Sequence, residues 1–169
     1  MKNRVSVFLS TLFGIGYIPI APGTMGTIFA ATIFYFVAKL YLPSVPWWLF
    51  NTVILGVTVI IYFAGVALTS EAEKKLGHDS GKIVIDELVG YLVSILFLPT
   101  VSVGRLWAIV LYTFIFFRVF DIAKPWPINN SQKLKSGWGI MTDDVIAGIY
   151  ANILAQIIIK IYPKFFGIY

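Results

Sequence analysis

Five long apolar runs set the strongest constraint on this sequence, because each approaches the length of a membrane-crossing helix. Such a helix needs about 20 mostly apolar residues, and about 17 suffice in a thin bilayer. Charged residues form only 12% of the chain and hydrophobic residues form 59%, whereas soluble domains carry about 25% charged residues. A chain this small has too little interior to hide so much apolar surface from water. The runs cover residues 25–42, 47–69, 83–98, 107–122 and 145–162.

These runs predict one all-α domain over residues 1–169, folded as a polytopic membrane bundle of about five transmembrane helices. Residues 1–20 are expected to form an additional interfacial or re-entrant helix. A signal peptide is less favoured, because Gly14, Gly16 and Pro19 interrupt the apolar stretch and no A-x-A cleavage site follows it. The chain has no cysteine, which excludes disulfides, thiol catalysis and cysteine metal sites.

Charge is distributed unevenly between the two predicted sides of the membrane. If the runs cross in alternation, residues 1–24, 70–82 and 123–144 share one side, and nine of the thirteen Lys and Arg residues lie there or at the adjoining helix ends. The positive-inside tendency makes this side cytoplasmic. The basic excess fits anionic lipid headgroups, and no basic stripe suits nucleic acid. All eight acids fall on the same side: Glu71, Glu73, Asp79, Asp86, Glu87, Asp121, Asp143 and Asp144.

Five of these acids are predicted to lie at one membrane depth. Asp86 and Glu87 begin the third run, Asp121 ends the fourth, and Asp143 with Asp144 precedes the fifth. Each carboxylate near hydrocarbon costs about 2.5–3.5 kcal/mol, so several together indicate a shared polar cavity with a compensating charge. Helix capping would explain one acid at each helix start, but it does not explain an acid at a helix end. Oxygen ligands without cysteine favour Mg²⁺ as the compensating cofactor.

Small and polar residues within the runs predict how the helices meet. Gly90 follows Asp86 by four residues, and Gly148 follows Asp144 by four, so each glycine shares a helix face with an acid. This spacing predicts close packing of the third and fifth helices. Interhelical hydrogen bonds are the expected role of the polar residues inside the runs, which are Asn51, Asn152 and Gln156. An interfacial aromatic belt is the expected role of Trp47, Trp48, Trp126 and Trp138.

Basic side chains are interleaved with the acids, as a site for a phosphorylated substrate requires. Arg118 and Lys124 each lie three residues from Asp121, and Lys82 precedes Asp86 by four. Arginine and lysine are common ligands of phosphate oxygens, although these side chains would also suit lipid headgroups.

The glycine-rich turns at 14–16 and 22–27 are expected to add backbone N–H donors and the hydroxyls of Thr24 and Thr27. His78 is a candidate general acid, or else an ordinary loop residue. Asp79 is a candidate contact to substrate or metal, or else a turn cap.

Four sequence blocks closely resemble the phosphatidylglycerophosphatase A family and follow the family's order. They are APGTMGT at 21–27, IVIDELVG at 83–90, RVFDIAKPWP at 118–127 and GWGIMTDDVIAG at 137–148. The resemblance implies a bacterial inner-membrane, Mg²⁺-dependent phosphatase with its active site on the cytoplasmic side. It further implies that phosphatidylglycerol phosphate, a membrane lipid, is hydrolysed to phosphatidylglycerol and phosphate.

In this interpretation the acids hold Mg²⁺ and include the base, while the phosphate contacts come from Arg118, Lys124, Lys82 and the two threonines. The proposed ligand and catalytic set is Asp86, Glu87, Asp121, Asp143 and Asp144. Attack by water and attack by an aspartate through an aspartyl-phosphate stay open. A cation or proton transporter is the alternative from another class, and it would stagger its acids through the bilayer. A metal-dependent lipid-headgroup transferase would use the same groups with an alcohol in place of water.

Overall fold

The computed structural model describes residues 2–78, 80–99 and 105–166. This part of the chain contains seven α-helices and no strand, so the prediction of an all-α fold is confirmed. The helices are α1 (Lys2–Ser10), α2 (Pro22–Tyr41), α3 (Trp47–Leu76), α4 (Ile85–Ile95), α5 (Leu106–Ala123), α6 (Ile128–Ser131) and α7 (Gly137–Ile161), with 3₁₀ turns at Ile15–Tyr17 and Pro163–Phe166.

Four helices, α2, α3, α5 and α7, are long and apolar enough to cross a membrane by length and composition. Their outer faces carry large apolar side chains, among them Phe36, Ile60 and Ile122, which are 63%, 70% and 71% exposed. Such surfaces are typical of contact with lipid, because soluble proteins rarely expose apolar patches of this extent to water. Exposed tryptophans lie near both ends of the bundle, with Trp48 at one end and Trp126 at the other, as in an aromatic belt.

The third apolar run forms a broken crossing rather than a full helix. Its helix, α4, has only 11 residues, or about 16 Å of length, and it ends at Leu96 in an extended conformation. The chain then reaches the start of α3, where the Phe97 N–H donates to Asn51 Oδ1 over 2.8 Å and Trp47 Nε1 donates to the Leu98 carbonyl over 2.9 Å. The count of five spans is therefore not confirmed, because four complete helices and one interrupted segment are described.

The end of α4 is stabilised by a side chain from α7. The amide nitrogen of Asn152 contacts the carbonyl oxygens of Ser94 at 3.0 Å and Leu96 at 2.7 Å. Carbonyls in the last turn of a helix lack partners within that helix, and hydrocarbon offers none. The predicted interhelical hydrogen bonds of Asn51 and Asn152 are thus present. Gln156 instead donates to Asn152 Oδ1 within its own helix.

Helix α4 lies at the centre of the bundle and contacts α2, α3, α5 and α7. Its closest neighbour is α7, where a Cβ on Gly148 would overlap the Gly90 carbonyl oxygen and a Cβ on Gly90 would lie 2.7 Å from the Asp144 carbonyl oxygen. The predicted glycine-mediated packing is therefore correct. It places the first turn of α4 beside the second turn of α7.

Helix α1 is too short to cross the membrane, since its nine residues extend about 14 Å. It packs against α3, while Val5 and Phe8 on its outer face stay more than half exposed. The Ser10 carbonyl accepts a hydrogen bond of 2.9 Å from the Val84 N–H. Because Val84 immediately precedes α4, this contact fixes the position at which α4 begins.

Candidate active site

The five predicted acids meet in one cleft at the end of the bundle where α2, α4 and α7 begin and α5 ends. The cleft has a volume of about 370 Å³. Its charged lining consists of Asp86, Glu87, Arg118, Asp121, Lys124, Asp143 and Asp144. The structure therefore brings together every acid of the predicted set and two of the three predicted phosphate-binding cations.

Three of the acids form a compact cluster. One carboxylate oxygen from each of Asp86, Glu87 and Asp144 lies within 4.8 Å of the others. Each of these residues also has a buried oxygen, Asp86 Oδ1, Glu87 Oε2 and Asp144 Oδ2, without a hydrogen-bond partner among the described residues. Buried carboxylate oxygens held this close together repel one another and have lost their hydration, so this cluster could hold a cation. Three hard oxygen donors fit Mg²⁺, which binds few protein carboxylates and keeps other oxygens as ligands.

The other two acids pair with the basic residues of the cleft. Arg118 Nη1 lies 2.5 Å from Asp121 Oδ2, and Lys124 Nζ lies 2.6 Å from Asp143 Oδ2. Asp121 also lies 3.8 Å from Lys124 Nζ, so it contacts both cations. Arg118 Nη1 is 4.0 Å from Glu87 Oε1, which links the ion pairs to the three-carboxylate cluster.

Two features of the cations bear on anion binding. Arg118 is mostly buried, and its Nε has no hydrogen-bond partner among the described residues. Burial of the Lys124 ammonium opposes its charged form, but the hydrogen bond to Asp143 and the surrounding carboxylates outweigh burial and raise the pKa of Lys124. Lys124 therefore carries its charge throughout the neutral pH range.

The start of α2 forms one wall of the cleft through Ala21, Pro22 and Gly23. A Cβ on Gly23 would overlap Glu87 Oε1 and lie 3.4 Å from Arg118 Nη1, so any larger residue here would displace the Glu87 carboxylate. The first turn of a helix carries unpaired N–H groups and the positive end of the helix dipole. The contribution of this turn to an anion site stays a prediction, and it would come from backbone N–H groups rather than from the threonine hydroxyls.

The threonines and Lys82 lie elsewhere. Thr27 is buried and donates to the Gly23 carbonyl over 3.0 Å, and neither Thr24 nor Thr27 lines the cleft. Lys82 is exposed, with Nζ 5.4 Å from the Tyr17 ring centroid in a cation–π contact. The predicted phosphate contacts of these three residues have no support in the geometry. The side chains of Thr27 and Lys82 are directed to other partners, and Thr24 does not line the cleft.

His78 lies at the edge of the site. Its Nδ1 is 2.6 Å from Glu73 Oε1, and its side chain is 77% exposed. It lines a small cavity beside Asp143 and Gln132, outside the main cleft. Asp79, the other candidate from this loop, lies outside the described residues.

Two features of the site were not predicted from the sequence. Gln132 Nε2 donates to Asp143 Oδ2 over 3.0 Å, and no spacing pattern marks this residue in the loop before α7. Helix α7 also begins at Gly137 rather than near Val145. Asp143 and Asp144 therefore lie beyond the first turn, so capping does not account for them, and the Asp144 N–H donates to Asp143 Oδ1 over 3.1 Å.

The fold and the cleft together define a class: polytopic helical membrane proteins that hold clustered carboxylates and cations at one end of the bundle. Comparison with known proteins identifies the family within this class. The family model described as Phosphatidylglycerophosphatase A matches residues 8–159. The chain therefore belongs to the phosphatidylglycerophosphatase A family, which confirms the resemblance seen in the sequence and the prediction of a phosphoric monoester hydrolase.

Individual relatives agree with this placement. The chain is 38% identical to phosphatidylglycerophosphatase A of Escherichia coli K12, over 83% of this chain and 76% of that protein. It is 40% identical to phosphatidylglycerophosphatase A of Haemophilus influenzae, over 86% of this chain and 83% of that protein. It is 36% identical to a Bacteroides thetaiotaomicron protein provisionally named as a phosphatidylinositol-3-phosphatase, over 89% of this chain and 91% of that protein. No solved structure matches the chain.

Proposed function

We propose that this protein is a Mg²⁺-dependent phosphatase that hydrolyses phosphatidylglycerol phosphate to phosphatidylglycerol and phosphate. The bacterial relatives named for this activity support the proposal. The observation that carries it is the position of three carboxylates, Asp86, Glu87 and Asp144, each with one buried oxygen that has no hydrogen-bond partner among the described residues, in the same cleft as Arg118 and Lys124. Hydrolysis of a phosphate monoester with Mg²⁺ requires carboxylates that bind the ion and cationic side chains that contact the phosphoryl oxygens.

The three-carboxylate cluster would hold Mg²⁺. When bound, the ion supplies positive charge against the phosphoryl oxygens and favours deprotonation of a nearby water. Asp86, Glu87 and Asp144 contribute the oxygen ligands, and their close spacing leaves the remaining ligand positions to water and substrate. Glu87 also lies against Gly23, so α2 limits the directions in which its carboxylate can turn.

Arg118 and Lys124 would bind the phosphoryl oxygens and stabilise their charge in the transition state. In the structure they contact Asp121 and Asp143, so a phosphate group competes with these two carboxylates for the cations. Asp121 contacts both cations and is not a member of the three-carboxylate cluster. We assign to it the role of orienting these two cations, while a carboxylate of the cleft accepts the proton from the attacking water.

The orientation in the membrane follows from charge. Every acid among the described residues lies at the end of the bundle that contains the cleft, and most of the Lys and Arg residues of the chain belong to the same end. By the positive-inside tendency this end faces the cytoplasm. We therefore place the protein in the bacterial inner membrane, with the cleft open to the cytoplasmic leaflet.

The decisive experiment measures phosphate release by purified protein in vesicles that contain phosphatidylglycerol phosphate, with Mg²⁺ or with a chelator. Release is expected only with Mg²⁺, and Glu87→Gln and Asp144→Asn should abolish it. Glu71→Gln is the matched control, because Glu71 lies on the exposed end of α3 and pairs with Lys74. Phosphatidylinositol 3-phosphate is tested in parallel. Release independent of metal, or faster release from the inositol lipid, would overturn the proposal.

The two rival functions predict other results. A cation or proton transporter would stagger acids along the bilayer, whereas the described acids lie at one end. It would also move ions across sealed vesicles without releasing phosphate. A lipid-headgroup transferase would convert an added alcohol such as glycerol into a new phosphodiester, and hydrolysis alone would exclude it.

A further inference from the structure

Two apolar grooves extend from the active-site cleft along the outer face of α5. The first has a volume of about 430 Å³ and lies beside Ile115, Val119 and Ile122. The second has a volume of about 480 Å³ and lies between α2 and α5, where Ile28 and Leu111 line opposite walls. Their linings contain no charged side chain apart from Arg118.

The first groove adjoins both the cleft and the second groove, as the lining residues that they share show. Arg118 and Ile122 line both the cleft and the first groove, and Phe114 lines both grooves. Arg118 therefore lies where the polar site becomes apolar, because its guanidinium is beside Asp121 and the residue also lines the first groove. A ligand bound there meets charge at one end and hydrocarbon at the other.

The length of the path matches that of one acyl chain, which fills half of the hydrocarbon core. Trp107 and Arg118 are eleven residues apart on α5, or about 16 Å at the helical rise of 1.5 Å per residue. Half of the hydrocarbon core is about 15 Å thick. The path begins at the polar site and runs along a surface that faces lipid, so a single acyl chain of a membrane lipid has the required length and chemistry.

We propose that the groove along α2 and α5 binds an acyl chain of the lipid substrate while its phosphate lies in the cleft. This inference rests on the proposed function. It further specifies that the lipid enters the cleft from the side of the bundle formed by α2 and α5. It assigns substrate selection to Thr32, Leu111 and Ile115, which lie well away from the acids. Lipids with long chains then react in preference to soluble phosphate esters that share the same headgroup.

The first test fills the groove. Thr32→Trp and Leu111→Trp place a large side chain on positions that are already exposed, or partly so. The measured quantity is the ratio of kcat/KM for dioleoyl phosphatidylglycerol phosphate to kcat/KM for the deacylated headgroup ester. We expect each variant to lower this ratio roughly tenfold, equivalent to about 1.4 kcal/mol. Ile60→Trp, on the exposed face of α3, should leave it unchanged, and an unchanged ratio in the groove variants would overturn the proposal.

A second test does not depend on turnover. Phosphatidylglycerol phosphate with a photoreactive diazirine in one acyl chain is irradiated with the Asp144→Asn variant in vesicles, and labelled residues are mapped by mass spectrometry. Labels are expected on residues 28–36 and 107–122, and excess unlabelled substrate should suppress them more strongly than phosphatidylcholine does. Labelling concentrated on α3 would exclude the groove. Specific groove labelling without phosphate release by the wild type would instead contradict only the proposed activity.

Discussion

Gly148 of α7 packs directly on the carbonyl oxygen of Gly90 in α4, at a separation that leaves no space for a Cβ atom. Asp86 lies one turn before Gly90, and Asp144 lies one turn before Gly148. The contact between the two glycines therefore sets the distance between carboxylates that belong to different helices. Packing in the apolar part of the bundle and the geometry of the charged site are consequences of the same contact.

Gly148→Ala is expected to lower both stability and activity. The added methyl must displace backbone rather than a flexible side chain, and overpacking of this kind costs about 1–3 kcal/mol. Thermal unfolding in detergent and phosphate release measure the two effects. Gly56→Ala is the control, because a Cβ there meets nothing within 4 Å and alanine favours helix by up to about 1 kcal/mol. Equal effects of the two substitutions would contradict the assigned role of the glycine contact.

Asn152→Leu is expected to destabilise the protein strongly. The side-chain amide contacts carbonyls of Ser94 and Leu96, and each buried carbonyl left without a partner costs about 1–3 kcal/mol. Gln156→Leu, one turn further along α7, removes a side chain that is exposed and bonds only Asn152 in the described part of the chain. Thermal unfolding should show a large loss for the first variant and a small one for the second. A small loss for both would mean that the broken end of α4 has other support.

The break in α4 also shows what the sequence could not reveal. Residues 83–98 are apolar and contain no proline or glycine at the break, so their pattern predicts a continuous span. The helix stops at Ile95 because Asn51, Asn152 and Trp47, which are distant in sequence, satisfy the released backbone groups. Tertiary hydrogen bonds of this kind leave no local signal.

The site was predictable to the extent that charge is conspicuous in an apolar chain. The five acids and the pair Arg118 and Lys124 were found for that reason, and the structure brings them together. Helical spacing from Asp86 predicts Lys82 in the site, but α4 begins only at Ile85, so the spacing does not apply. No sequence pattern predicts the contact of Gln132 with Asp143, because that contact depends on the path of the loop before α7.

Gln132→Leu tests that role as a positioning residue for Asp143. Loss of the 3.0 Å hydrogen bond to a charged group costs about 1.5–3 kcal/mol, so kcat should fall by roughly tenfold or more. Gln132→Asn should restore part of the activity if it reaches Asp143, whereas Gln132→Glu should not, because it adds a negative charge. An unchanged kcat in all three Gln132 variants would show that Lys124 alone orients Asp143.

Arg118→Ala and Lys124→Ala are expected to lower kcat by about 10²–10³, the usual cost of removing a group that stabilises transition-state charge. Arg118→Lys should recover little, because lysine lacks the planar guanidinium group, whose Nη1 contacts Asp121 and whose Nε has no hydrogen-bond partner among the described residues. Lys133→Ala is the control, since Lys133 is exposed and contacts Asn130. Steady-state kinetics with vesicle-bound substrate distinguish these outcomes, and a change in KM alone would assign the cations to ground-state binding.

Removing one charge from the three-carboxylate cluster should stabilise the metal-free protein and weaken its stabilisation by Mg²⁺. Without metal, Asp86, Glu87 and Asp144 place unpaired oxygens close together in a mostly buried site, so Asp144→Asn should raise the unfolding temperature by relieving repulsion. Mg²⁺ should stabilise the wild type, by about 2.7 kcal/mol at a concentration 100 times the dissociation constant. The variant should lose most of this response together with its activity. Glu71→Gln should retain both, since Glu71 is surface-exposed and paired with Lys74. An Asp144→Asn protein that Mg²⁺ still stabilises fully would place the ion elsewhere.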